Sequence, residues 1–75
     1  MSATLEFNPK RLTLARRRRG LTKTKLAKLL GVEARSITAY ENDEFRPEPE
    51  RLQKLAAVLQ FPDRFFGGDD LEEIA

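Results

Sequence analysis

The chain has 75 residues with no cysteine and no histidine, and its 14 Lys and Arg against 12 Asp and Glu leave a net charge of +2. That length allows one domain with a small core, the missing cysteines exclude disulfides, and the lack of both residue types excludes the usual structural zinc sites. Without His, Cys or clustered inward carboxylates there is no general base, so no catalytic residue, metal or cofactor is expected. Apolar runs are too short to span a membrane and no signal-peptide core opens the chain, so a soluble cytoplasmic protein is expected.

Residues 1–7, MSATLEF, have no clear period and read as a loose arm, although Leu5 or Phe7 can fold back onto a core. Asn8 as cap, Pro9 at the first helical position and Gly20 as stop predict a helix of about eleven residues. Its inward stripe is Leu12, Ala15, Arg16 and Arg19. Consecutive helical residues point about 100° apart, so the run Arg16 to Arg19 cannot face one ligand. Arg17 and Arg18 suit a solvated face. Arg16 falls on the core stripe and needs a buried partner, for which Glu41 is the candidate.

The stretch 21–41, LTKTKLAKLLGVEARSITAYE, contains two helical patterns separated by a glycine, the spacing of a helix-turn-helix. Thr22 can cap a short helix carrying Leu26, Ala27 and Leu30 inward, and Gly31 can take the positive φ that ends it. Glu33 is expected to accept backbone N–H bonds at the start of the second helix. In that helix Ile37 and Tyr40 face inward, leaving Ala34, Arg35, Thr38 and Ala39 on the outer side. Asn42 to Pro49 is rich in turn formers and reads as a loop. Leu52, Leu55, Ala56 and Leu59 then restore the helical period after Pro49, with Glu48 and Glu50 near the positive end of the helix dipole. A short fifth helix, capped by Asp63 and closed by Gly67, carries phenylalanines that seal the core.

Charge is unevenly spread. Residues 10–35 hold ten Lys or Arg and one Glu, whereas residues 36–75 hold four against ten acids. A polyanion would be attracted to one side and repelled from the other, which argues for nucleic acid. A membrane surface is the rival for a basic patch, but the first helix lacks the broad aromatic face needed for interfacial insertion.

The segment GLTKTKLAKLLGVEARSITAYEND followed by PEPERLQKLAAVL resembles the lambda-repressor-like regulators, the XRE or Cro family. The resemblance runs from Asn8 to Gly67 and implies an all-α, compact bundle of five short helices with a central helix-turn-helix. It implies a buried ion pair at Arg16 and Glu41. It also places base reading at Ala34, Arg35, Thr38 and Ala39, and phosphate contacts at Thr22, Lys23, Ser36, Asn42 and Arg46. The family commonly has Gln where Lys23 stands, so backbone grip there passes to a point charge. Only Arg35 and Thr38 offer polar readout, Arg35 toward guanine O6 and N7, while the alanines suit a thymine methyl. The opening FNPKRL and ending QFPDRFFGGDD are similar to a subgroup in which this domain precedes a metallopeptidase-like domain, although the motif His-Glu-x-x-His is absent.

The resulting organisation is a flexible arm over 1–7, a helix-turn-helix DNA-binding domain over 8–67, and an acidic tail or start of a linker over 68–75. The resemblance implies a transcriptional regulator, a repressor in the leading reading, which binds a palindromic double-stranded DNA operator as a homodimer. Leu29 and Val58 lie off the core stripes and are candidates for a dimer patch. The alternative is an antitoxin-type regulator that also binds a partner protein.

Overall fold

In the computed structural model, which describes residues 7–68, Asn8 starts the first helix through its side-chain oxygen, which accepts from the Lys10 N–H at 3.0 Å. Pro9 follows at a position where a backbone N–H would have no helical partner. Helix α1 spans Pro9–Arg18, α2 Lys23–Leu30, α3 Ala34–Glu41 and α4 Pro49–Leu59. The final element, Asp63–Gly67, is a 3-10 helix. The expected all-α bundle of five short helices thus stands as helical throughout, with the fifth element a 3-10 turn, so that the described residues form four α-helices and one 3-10 turn. Five residues starting after a proline close a single tight turn and leave no length for an α-helical ladder. Pro62 occupies the cap position there and no side chain caps the turn, so Asp63 is its first residue instead of its cap.

All four α-helices end in the same way. A residue close behind each end, the first after α2 and α4 and the second after α1 and α3, takes a positive φ, and the next N–H reaches back to the carbonyl five residues earlier. Leu21 N–H bonds to Arg16 O, Val32 to Ala27 O, Glu44 to Ala39 O and Phe61 to Ala56 O, at 2.9–3.1 Å. This satisfies carbonyls that the helix leaves open. Glycine fills the left-handed position at Gly20 and Gly31, but Asp43 and Gln60 fill it after α3 and α4, both at φ 62.

The core joins all elements. Leu12 and Ala15 of α1, Leu26, Ala27 and Leu30 of α2, Ile37 of α3, and Leu52, Leu55, Ala56 and Leu59 of α4 enclose Phe66. Each large side chain fully removed from water stabilises the fold by roughly 1.5–3 kcal/mol. Phe7, assigned to the arm, is buried in this core, and its neighbour Asn8 donates its N–H to Phe66 O at 2.6 Å. Leu5 lies outside the described residues. Leu14 is buried as well, off the stripe that the period suggested. Val58 packs against the core, whereas Leu29 remains exposed. Among the described residues no helix is long and apolar enough to cross a membrane.

The arginine run divides by position. Arg16, Arg17 and Arg18 all lie in the last turn of α1, where positive charge complements the helix dipole. Arg19 does not enter the core as the stripe implied. It reaches along the surface to α4, donating from Nε to Leu59 O at 2.6 Å and from Nη2 to Gln60 O at 3.0 Å, with its guanidinium over the Phe61 ring. A cation from one helix therefore satisfies the open carbonyls of another.

Candidate nucleic-acid interface

Helices α2 and α3 are fixed to each other by the turn at Gly31, whose φ of 81° favours glycine. Below the turn Leu26, Leu30 and Ile37 are buried, and Val32 packs inward as the hinge between them. Thr22 caps α2 by accepting from Lys25 N–H at 3.1 Å, which leaves its hydroxyl proton available to an outside acceptor. Lys23 opens α2, half-buried at the same end.

The far end of α3 is held by one guanidinium. Arg16 Nε donates to Glu41 Oε2 at 2.7 Å, Nη2 donates to Glu41 Oε1 at 3.1 Å, and Nη1 donates to Leu21 O at 2.9 Å. These bonds join α1, the turn before α2 and α3, and so set the angle at which α3 is presented. The two-pronged geometry suits arginine and not lysine.

The outer face of α3 is narrower than its period implied. Arg35 is the most open position, with 86% of its side chain exposed, and Thr38 and Ser36 are half-exposed. Ala39, expected outside, is buried, and Ala34, also expected outside, packs half-buried against the core. The reason for Ala39 is the chain after α3, which turns back so that Glu44 and Phe45 donate their N–H groups to Ala39 O. Glu33 is corrected too. It makes no side-chain cap, and its carboxylate instead meets Arg35 Nε at 2.9 Å. Both groups are open to solvent, so this pair is weak and easily exchanged for another anion.

Asn42 is exposed just past the C-terminal end of α3, and Arg46 is exposed in the loop beyond it, 3.8 Å from Asp43. Between α3 and that loop lies an open depression of about 600 Å³. Arg35, Ser36 and Ala39 contribute from α3, Phe45 and Arg46 from the loop, and Arg51 from α4. Arg51 also approaches the Tyr40 hydroxyl at 3.5 Å. Sequence reasoning missed Phe45 and Arg51; the available signal was a lone aromatic within the polar run Asn42 to Glu48. Among the described residues no group of acidic residues is arranged to hold a metal ion.

A helix-turn-helix family model matches residues 12–66. No curated protein matches the sequence. Among solved structures, the DNA-binding domain of the P22 c2 repressor is 25% identical, with a TM-score of 0.76 over 88% of both chains. The P22 c2 repressor in complex with synthetic operator 9T is 26% identical, with a TM-score of 0.73 over 77% of this chain and 88% of that one. FeII HppE is also 26% identical, with a TM-score of 0.76, but the likeness covers 92% of this chain and only 39% of that one.

Proposed function

The chain belongs to the helix-turn-helix family, in its lambda- and P22-repressor-like branch, and from that premise we propose a transcriptional regulator that binds double-stranded DNA. Helix α3 lies in the major groove. Lys23 and Thr22 at the start of α2, with Ser36, Asn42 and Arg46, hold the phosphates on either side. The observation that carries this reading is the exposed edge of α3, where Arg35 projects into solvent with only an open, exchangeable pair to Glu33, while Arg16 and Glu41 anchor the helix from behind. Ten of the fourteen basic residues fall within residues 10–35, which supplies the attraction. The operator-bound P22 c2 repressor supports the docking by similarity.

Arg35 is the principal base reader, suited to guanine, and Thr38 assists. Ala39 is too enclosed for a broad base contact, and Ala34 offers only part of its methyl. One recognition helix covers half a site, so two copies bind half-sites centred about 34 Å apart on a palindrome. Blocking a promoter in this way represses transcription. The function is one of binding, and the likeness to FeII HppE is confined to a minor part of that chain.

The test begins with selection of bound duplexes from random DNA, followed by titration of the selected site at several salt concentrations. Log affinity should fall steeply with log salt, by about 0.9 for each phosphate neutralised, and Lys23→Ala should remove about one such unit. Arg35→Ala should cost about 1–3 kcal/mol at one base pair and little elsewhere. Affinity that ignores salt, or selection that returns no shared sequence, would remove the reading. A stoichiometry of one chain per selected site would remove the dimer.

A further inference from the structure

Phe45 is two-thirds exposed and, with Leu29, is one of two large hydrophobic side chains left open among the described residues. A single exposed hydrophobe is ordinary; the informative point is its position. The loop carrying it is pinned back onto α3 by the bonds from Glu44 and Phe45 N–H to Ala39 O, so the ring is held beside the helix. It lines the same depression as Arg35 and Ser36, with Arg46 and Arg51 on the other side.

We propose that Phe45 is a further DNA-contact residue, packing its ring against the deoxyribose of the nucleotide beside the base pair met by Arg35. The proposal rests on the DNA-binding reading above. A nucleotide in a backbone has an apolar sugar face flanked by anionic phosphates. The depression offers the complement, an aromatic ring and an alanine floor flanked by three guanidiniums. Glu44 and Glu48 also line it, and Glu33 and Asp43 stand 2.9 and 3.8 Å from Arg35 and Arg46 in solvent-exposed pairs that a phosphate can exchange.

The ring contact and the arginine contacts differ in their response to salt. An apolar contact releases no counterions, whereas each phosphate-bound arginine does. The experiment compares the full chain with Phe45→Ala, Phe45→Leu and Arg46→Ala on a duplex holding a single selected half-site. Phe45→Ala should weaken binding about tenfold, within the range of aromatic–nucleotide contacts, with an unchanged salt slope. Phe45→Leu should recover part of that loss, and Arg46→Ala should reduce the slope by about one unit. Because the ring is exposed, the thermal melt of Phe45→Ala should match the parent.

Half-site binding by Phe45→Ala equal to the parent overturns the proposal while leaving the DNA-binding reading intact. A loss seen only on a two-half-site duplex assigns the ring to contact between copies and overturns it as well. If the folded parent binds no duplex, both readings fall.

Discussion

Glu41→Ala removes the acceptor from a guanidinium that has little water to turn to. The two side chains are 13% and 5% exposed. Of the three bonds made by Arg16, the substitution deletes those at 2.7 and 3.1 Å and keeps the one to Leu21 O. Each deprived donor costs about 1–3 kcal/mol, and breaking a buried ion pair costs about 3–5 kcal/mol in total. The slight exposure of Arg16 lets some water in, so the lower end, about 3 kcal/mol, is expected. A domain this small holds only about 3–5 kcal/mol from its core, so the variant should be near its unfolding midpoint at room temperature. In a melt followed by far-UV circular dichroism, that loss is a drop in Tm of about 12–24 °C. Arg16→Met with Glu41→Leu should regain much of the stability, because an apolar pair carries no desolvation cost. A fall below about 4 °C for Glu41→Ala would refute the argument. So would a coupling energy below about 0.5 kcal/mol in the double-mutant cycle.

Opposite signs are expected at two left-handed positions: Gly31→Ala should destabilise by about 1 kcal/mol or more, whereas Gln60→Gly should be neutral to stabilising by up to about 1 kcal/mol. Urea midpoints would show it, and a shared sign would contradict the φ-based reasoning. Arg19→Ala should cost about 1–2 kcal/mol through the lost Leu59 and Gln60 bonds and the Phe61 stack, and Arg19→Lys should recover less than half in the same urea assay. Phe7→Ala should cost about 3–5 kcal/mol by calorimetry, as for other buried rings; an unchanged transition would return Phe7 to the arm.

Elements whose apolar residues recur at helical spacing between clear stops were readable from sequence. Asn8 with Pro9, Thr22 with Gly31, and the leucines of α4 are examples, because cap and period are written in neighbouring residues. What escaped was set by contacts across the chain. Ala39 shares the outer arc of an isolated α3, and only the returning loop covers it. Phe7 had no period to join, since its burial comes from meeting the last turn of the domain. Glu33 carried a cap-like signal that a guanidinium two residues away diverted. Gln60 in a left-handed conformation could not be foreseen, since glutamine has no bias toward it. In the candidate site, the exposure of Arg35 was legible by its helix position, whereas Phe45 and Arg51 meet only after the loop folds back.

The bonds linking Asn8 to the last turn have a consequence for how the domain is carried. Asn8 N–H reaches Phe66 O, its side-chain amide reaches Gly68 O at 2.8 Å, and Arg11 holds Phe65 both by its carbonyl and by its ring. The two ends of the described fold therefore emerge from one knot, built by α1 and the 3-10 turn and not by α3. A neighbour tethered before residue 8 or after residue 68 would hang from nearly the same anchorage point. The domain thus behaves as a bead on a loop of thread, and whatever it is strung to can be exchanged between its two ends without turning α3.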